Sequence, residues 1–413
     1  MKKFIADFHI HSKYSHATSK FMDLQALAHW GQLKGIGVMG TGDFTHPIWQ
    51  QELRDQLQEV EPGLFELKPE FAKLVDAKVY PTCKNWLRFL LSSEISTIFK
   101  RNGRCYRTHS IILAPSFEVV EKITQKLATI GNLVHDGRPI LGLDVQDLLK
   151  IILDISPDCM LIPAHIWTPW FGLLGSKSGF DSVHEAFGDL VSNIYALETG
   201  LSSNFLMNAQ LSELDKFTLL CNSDAHSVQN LGREANLMHA ELSYAGIIQA
   251  LRKNDPASMV AGIEFFPERG KYYGDGHRAC NVYFTPEQTN DCAGLCSVCG
   301  KPVTVGVLNR VTQLADRTPV QAQEFMRRRY RVAPLFDILE TQLGLPTINP
   351  KLIKMYHQIL QKVGNEFFVL LKAPLTEISQ ASTPEIAQAM SKLRIGEIVV
   401  QPGYDGVYGR IEF

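Results

Sequence analysis

Short apolar runs alternate with longer amphipathic segments over residues 1–258. Runs of strand-like length and composition stand at 4–10, 37–40, 89–91, 111–113, 160–162 and 217–220. The segments 22–33, 116–130 and 144–153 predict the intervening helices. This alternation predicts a parallel α/β fold, and a barrel in preference to an open sheet.

The pattern changes twice after this region. Residues 259–314 are rich in glycine, aromatic residues and cysteine, which predicts a small module that has little regular structure and is stabilised by a bound metal. Helical signals at 320–330, 334–343 and 352–362 then predict a mostly helical C-terminal domain over 315–413, with strands and turns near 397–409. We therefore expect three domains, with boundaries near residues 258 and 314.

Metal-binding residues stand beside most of the apolar runs of the first domain. Seven of them follow a run, at the carboxyl end where the reactive groups of β/α barrels lie: His9, His11, Asp43, Glu94, His165, Asp224 and His226. His109 precedes its run, so we expect it to point in from a strand start or from a loop. Spacing by two places His9 and His11 on one face of a strand, and Asp224 and His226 repeat that geometry.

Five histidines and three carboxylates provide ligands for two or three divalent metals. Imidazole with carboxylate suits zinc, manganese or iron, and magnesium could exchange into such a site. We expect Glu94 to bridge two ions, and Glu94, Asp224 and His226 to be catalytic. Such a cluster generates hydroxide from water and binds both the attacking and the leaving oxygen of a phosphate ester, so the residues predict a metal-dependent phosphoesterase. His16 and His46 could add ligands or be ordinary polar loop residues.

Four of the eight cysteines lie close together in the sequence, at 280, 292, 296 and 299. The pairs His277-x-x-Cys280 and Cys296-x-x-Cys299 have the spacing of a structural zinc site. Cys292 is an alternative to His277 as the fourth ligand. Four protein ligands leave no open position, so this zinc would stabilise the fold without catalysis.

Composition limits the function only loosely. The chain has 413 residues, 45% of them hydrophobic, and a formal charge of −2, which neither supports nor excludes nucleic acid as a partner. The N-terminal residues reach polar positions too soon for a signal peptide, and no apolar run is long enough to span a bilayer. We therefore expect a cytoplasmic protein without membrane contacts.

The metal motifs resemble the polymerase-and-histidinol-phosphatase (PHP) superfamily. The matching strings, in order, are Asp-x-His-x-His-Ser from Asp7, Gly-Thr-Gly-Asp ending at Asp43, Ser-Ser-Glu ending at Glu94, Pro-Ala-His ending at His165 and Ser-Asp-Ala-His ending at His226. This resemblance implies a distorted TIM-like (β/α)7 barrel that binds up to three metals. Phe44 stands where many members have a histidine, which removes one ligand.

Other segments are similar to the endonuclease Q family over nearly the whole chain. They include 265–272, 275–280, 296–302, 198–203 and 402–406. The resemblance implies a DNA repair endonuclease that nicks on the 5′ side of deaminated bases (uracil, hypoxanthine, xanthine) or abasic sites by a multinuclear metal-hydroxide mechanism. Damaged DNA is the expected partner, and repair-complex proteins are candidate partners.

Substrate contacts are expected from polar residues near the metal motifs and in the zinc module: Lys20, Thr199, Gly200, Ser202, Lys271 and Arg278. Two other functions are alternatives. A small-molecule phosphatase would not need the zinc module or the helical tail, and a non-catalytic helicase-associated DNA-binding protein would not need so many metal ligands.

Overall fold

The computed structural model describes residues 1–413 and has a mixed α/β architecture. The strands are β1 Lys2–Asp7, β2 Val38–Gly40, β3 Leu57–Glu61, β4 Leu64–Leu67, β5 Arg88–Arg101, β6 Arg104–Ala114, β7 Ile140–Leu141, β8 Met160–Pro163, β9 Ala196–Glu198, β10 Thr218–Leu220, β11 Ala235–Ala240, β12 Met259–Glu264, β13 Asp275–His277, β14 Val282–Phe284, β15 Arg329–Arg331, β16 Val399–Gln401 and β17 Arg410–Glu412.

The α-helices lie between these strands and dominate the C-terminal part. They are α1 Leu24–Lys34, α2 Pro47–Gln56, α3 Pro69–Asp76, α4 Phe117–Ala128, α5 Val145–Ile155, α6 Val183–Phe187, α7 Phe205–Asn208, α8 Tyr244–Lys253, α9 Pro286–Asp291, α10 Val307–Leu314, α11 Pro319–Ala322, α12 Leu335–Leu343, α13 Pro350–Lys362, α14 Glu366–Leu371, α15 Leu375–Ala381 and α16 Pro384–Ile395. None of them combines the length and apolar character that a bilayer span requires.

The main sheet has eleven strands and mixes parallel with antiparallel pairs. Strands β1, β2 and β5 are parallel neighbours, whereas β11 runs antiparallel to β1 and β6 runs antiparallel to both β5 and β8. The short parallel pair β9 and β10 forms a separate sheet. It is linked to the main sheet by the N–H of Ile166, which donates to Glu198 O, and by a parallel bridge between Ile10 and Ala225. The α/β prediction is confirmed. The sheet is mixed where the sequence predicted a parallel one, and closure into a TIM-like barrel stays a prediction.

The position of His109 follows from this antiparallel hairpin. His109 lies within β6, not at a strand start or in a loop as expected from the sequence. Because β6 runs opposite to β5 and pairs Ser96 with His109, the middle of β6 lies beside the segment of β5 that carries Glu94. A histidine that precedes its apolar run therefore reaches the same centre as ligands that follow theirs.

The C-terminal part contains the helices α12–α16 but not the helix expected over residues 320–330. Helix α11 ends at Ala322, and Arg329–Arg331 forms β15, which pairs in parallel with β12 in the main sheet. Arg329 and Arg331 form ion pairs with Glu264 and Glu268, so both guanidinium groups have partners within the protein. The domain boundaries from the sequence stay predictions.

A buried ion pair joins the first helix to the C-terminal helices. Lys34 Nζ of α1 lies 2.7 Å from Glu366 Oε2 of α14, and both side chains are almost fully buried. The hydroxyl of Tyr356 also donates to Glu366 Oε2, at 2.7 Å. Trp30 stacks on the ring of Tyr356 with centroids 5.9 Å apart. The C-terminal helices therefore pack directly against α1.

Candidate metal centres

The first ligand group contains His9, His11, Glu94 and Asp224. The two histidines follow β1, Asp224 follows β10, and Glu94 lies within β5. His11 Nε2 lies 3.1 Å from Asp224 Oδ1 and 3.3 Å from Glu94 Oε2. His9 Nε2 lies 3.5 Å from the same Glu94 oxygen and 3.6 Å from Asp224 Oδ1. Two imidazoles and two carboxylates thus converge from sequence positions more than two hundred residues apart.

Glu94 also belongs to the second group, with His109 and His165. Its Oε1 lies 2.8 Å from His109 Nδ1 and 3.1 Å from His165 Nε2, whereas its Oε2 faces the first group. One carboxylate thus presents a different oxygen to each group, and its role as a bridging metal ligand stays a prediction.

Glu198 lies behind this cluster and is a residue that the sequence analysis missed. Its carboxylate accepts hydrogen bonds from His9 Nδ1 at 3.0 Å, from the backbone N–H of His165 at 2.8 Å and from Asn222 Nδ2 at 2.9 Å. Carboxylates in this position orient the imidazole ligands of metals and raise their basicity. The signal was available, because Glu198 ends strand β9 in the same way as the other acids follow their strands.

Asp43 stands in the corresponding place behind His11. Its Oδ1 is 3.0 Å from His11 Nδ1, the ring nitrogen that faces away from Glu94, and its Oδ2 accepts from the N–H and the hydroxyl of Ser12. Asp43 belongs to neither of the two groups, so its role as a direct ligand stays a prediction.

The remaining histidines near the centre have other partners. His226 Nδ1 lies 2.9 Å from the carbonyl of Asp224, and its ring centroid is 4.4 Å from that of His11, beside the first group. His46 caps helix α2 and contacts Val134 O at 3.1 Å. The ring of His16 is tilted against that of His135, with centroids 5.2 Å apart. The structure therefore favours ordinary loop roles for His46 and His16.

Backbone geometry at the site is tightly constrained. His165 and Asp224 have φ values of 30° and 47°, in the region that side-chain-bearing residues rarely adopt. Arg233 supports the Asp224 loop by donating to Ser223 O at 2.7 Å and to Asp224 O at 3.1 Å. Such strained conformations persist at functional sites because surrounding contacts enforce them.

The ionisable side chains of the cluster have strongly shifted pKa values. Burial lowers the pKa of His9, but nearby carboxylates, with Glu198 the strongest, raise it well above its ordinary value. Burial raises the pKa of Glu94, but its contacts with His109, His9 and Arg138 outweigh burial and hold the pKa well below its usual range. Burial lowers the pKa of His109 to about 4, which leaves this imidazole neutral and able to offer a lone pair.

Both groups fit divalent cations. His9 Nε2 is buried and makes no hydrogen bond, although it points toward two carboxylates. Buried polar atoms are nearly always paired, so this nitrogen lacks a partner that a cation would supply. The mixed nitrogen and oxygen donors suit zinc, manganese or iron.

The zinc module brings together the four residues expected from the sequence: His277, Cys280, Cys296 and Cys299. His277 Nδ1 lies 3.5 Å from Cys299 Sγ, whereas Cys292 lies outside the group, at the end of α9. Burial raises the pKa of Cys296, but the N–H groups of Val298 and Cys299 outweigh it and lower the pKa to about 6. A thiolate on such a turn is a suitable zinc ligand.

The predicted substrate residues lie in different environments. Thr199 is buried and donates to Leu220 O, and Gly200 packs so closely on His165 that a Cβ there would lie 2.5 Å from the His165 Cβ. Ser202 is half-buried, and Lys20, Lys271 and Arg278 are exposed. Lys20 follows Ser19, whose N–H donates to His226 O at 2.8 Å, so it lies near the metal groups. The contacts of these six residues with substrate stay predictions.

A cavity of 710 Å³ is lined by none of the residues of the two ligand groups, but one of its lining residues contacts the loop of Asp224. Arg233, which holds the Asp224 loop, forms part of its wall. Its other lining residues come from several parts of the chain and include Leu201, Phe265, Arg269, Asp337, Tyr408 and Arg410. Arg269 is paired with Asp337 in the same wall, so Arg233 and Arg410, with two aromatic rings, make this cavity suitable for an anionic, ring-containing ligand.

No protein-family model matches the chain. Two curated proteins are similar to it, one over part of its length and one over its whole length. An uncharacterised protein of Methanocaldococcus jannaschii is 30% identical over 298 residues, which are 68% of this chain, and the chain spans only 36% of that protein. The uncharacterised protein YqxK of Bacillus subtilis is 27% identical over 425 residues, covering 100% of both chains.

Two solved structures match the whole chain. The lesion-specific endonuclease PfuEndoQ from Pyrococcus furiosus has a TM-score of 0.84 and 27% identity, and the match covers 100% of this chain and 96% of that one. An endonuclease Q in complex with a 27-mer duplex that carries an abasic lesion at the active site has the same TM-score and identity, with 100% and 97% covered.

Proposed function

Because this chain is a full-length structural relative of endonuclease Q with the PHP metal motifs, we propose that it is a metal-dependent endodeoxyribonuclease acting on damaged DNA. The observation that carries the proposal is the shared carboxylate of Glu94, which offers one oxygen to each of two adjacent ligand groups. Paired divalent sites of this kind are typical of enzymes that hydrolyse phosphate esters.

The proposed substrate is duplex DNA with an abasic site or a deaminated base, cut on the 5′ side of the lesion. The related endonuclease Q complex contains an abasic lesion at its active site, which supports this class of substrate. Turning a damaged nucleotide out of the helix costs less than turning out a paired one. The cavity with Arg233, Arg269 and Arg410 is the proposed position of the displaced nucleotide, with arginines near its phosphates.

The side chains of the protein have distinct proposed roles in hydrolysis. Divalent cations, when bound, polarise the phosphate and lower the pKa of water. Glu198 and Asp43 fix the rings of His9 and His11, and Arg233 fixes the loop of Asp224. A carbonyl only accepts, so the contact with Asp224 O places the hydrogen of His226 on Nδ1 and leaves Nε2 as an acceptor. His226 is therefore suited to take up a proton near the scissile phosphate.

End-labelled duplexes with one abasic site, uracil or hypoxanthine test the proposal, beside an undamaged duplex and p-nitrophenyl phosphate. We expect nicking of damaged duplexes only, in the presence of Mn²⁺ or Mg²⁺. Asp224→Asn should lower the nicking rate by at least ~100-fold. Asp215→Asn is the matched control, because Asp215 pairs with Arg317 and belongs to neither ligand group.

Two outcomes would reject the proposal. Hydrolysis of the small ester without nicking of any duplex would favour a phosphatase, and full activity of Asp224→Asn would remove the metal mechanism. For the zinc module we propose one tightly bound zinc, and unchanged zinc content in Cys296→Ser would contradict it. Repair-complex partners and a cytoplasmic location stay predictions.

A further inference from the structure

Arg138 lies at the metal cluster although arginine is not a metal ligand. Its Nη1 is 3.3 Å from Glu94 Oε2, and a quarter of its side chain is exposed. A guanidinium stays protonated and has no lone pair to offer a cation. A fixed positive charge beside two groups of metal-binding residues must therefore have a role other than metal binding.

The loop that carries Arg138 is held in place on several sides. The N–H of Arg138 donates to Asp136 Oδ1 at 3.0 Å, and the N–H of Gly137 donates to Tyr14 O at 2.9 Å. A Cβ at Gly137 would lie 2.5 Å from Asp43 Oδ2, so the backbone packs directly on the site. The guanidinium is thus directed at the cluster by a fixed loop.

Cations in the two ligand groups would compete with Arg138 for Glu94. The oxygen that contacts Arg138 is the one that faces His9 and His11, so a cation in the first group would use the same Oε2. Like charges a few ångströms apart repel each other strongly in a partly buried site. Arg138 then needs an anion between itself and the cations.

We propose that Arg138 binds a non-bridging oxygen of the scissile phosphate. Arginine matches phosphate geometry with two parallel N–H groups, and its charge also stabilises the negative charge that develops during in-line attack. The partial exposure of the side chain leaves it accessible to a substrate. This inference rests on the proposed function for its substrate, but the phosphate contact itself is testable without DNA.

The test compares Arg138→Lys and Arg138→Met with the wild-type chain and with Arg104→Met. Arg104 is an exposed arginine of β6 whose side chain donates to Gly179 O and which belongs to neither ligand group. Three quantities are measured: bound metal by elemental analysis, thermal stabilisation of the Mn²⁺-loaded protein by inorganic phosphate, and kcat and KM on an abasic-site duplex.

In Arg138→Met we expect unchanged metal content, at least ~10-fold weaker binding of inorganic phosphate and ~100-fold lower kcat/KM. Arg138→Lys should recover part of both losses, because it restores the charge without the two-pronged geometry. Arg104→Met should match the wild-type protein in all three measurements.

Unchanged phosphate binding in Arg138→Met would overturn the proposal, as would a wild-type protein that does not bind phosphate. A loss of metal together with phosphate would also overturn it, because Arg138 would then only support Glu94. If the wild-type protein nicks no damaged duplex but Arg138 still determines phosphate binding, the nuclease proposal fails and the phosphate site stands.

Discussion

Replacement of Glu198 by glutamine tests whether the residue behind the metal ligands controls metal affinity. The Glu198 carboxylate faces three donors, from His9, His165 and Asn222. An amide has only one accepting oxygen, so its nitrogen must face one of these donors in either orientation. A buried donor left unpaired costs about 1–3 kcal/mol. At about 1.4 kcal/mol for each factor of ten, metal affinity should fall about 10- to 100-fold, the range known for such outer residues.

Competition with a chelator measures this change as the dissociation constant for Mn²⁺, and the nicking rate as a function of Mn²⁺ concentration measures it independently. We expect Glu198→Gln to need more metal for half-maximal activity, with a maximal rate that saturating metal partly restores. Glu213→Gln is the matched control, because Glu213 accepts backbone hydrogen bonds from residues of α6 and belongs to neither ligand group. A Glu198→Gln protein that binds Mn²⁺ within twofold of wild type would refute the reasoning.

Three further predictions concern stability, the zinc module and backbone packing. Lys34→Met leaves the Glu366 carboxylate without its cation and should lower the free energy of unfolding in urea by about 3 kcal/mol; the double variant with Glu366→Gln should recover part of that loss. Because the pKa of Cys296 is lowered from 9.0 to about 6, the stabilisation from its thiolate is fully present above pH 9 and is lost as the pH falls through 6. Zinc release followed with a colorimetric chelator should therefore increase below pH 6, and release that is independent of pH between 5 and 8 would contradict this. Gly200→Ala places a methyl group against His165 at a φ of 65°. It should lower the free energy of unfolding by about 1–3 kcal/mol and should also weaken metal binding. Unaltered metal binding would show that His165 tolerates the displacement.

Most members of the first ligand group could be predicted from sequence because the ends of neighbouring strands meet at a shared centre. His9, His11 and Asp224 obey this rule, since they follow β1 and β10, whereas Glu94 lies inside β5. The rule says nothing about strand direction, so it could not place His109, whose strand runs antiparallel to β5. Spacing favoured His277 over the alternative Cys292 in the cysteine group, since His277 stands before Cys280 as Cys296 stands before Cys299, and the structure places His277 with these three cysteines.

Residues that act through others are harder to find in a sequence. Arg138 and Arg233 lie on loops without a recognisable motif, and only tertiary contacts bring them to Glu94 and to the Asp224 loop. The helix predicted over residues 320–330 is wrong for a similar reason. The arginines at 329 and 331 suit a solvated helix face, but pairing with β12 and ion pairs with Glu264 and Glu268 determine the local structure.

The hairpin of β5 and β6 gives the two ligand groups different folding requirements. Glu94 and His109 lie on adjacent strands joined by a tight turn, so their contact closes a short loop, which is entropically cheap and rapid. The first group instead joins β1 to the segment after β10 and can form only when distant parts of the chain have docked. During refolding, the contact between Glu94 and His109 should therefore form before the first group is complete. High-affinity binding of all the cations should appear only when the segment after β10 has packed against β1.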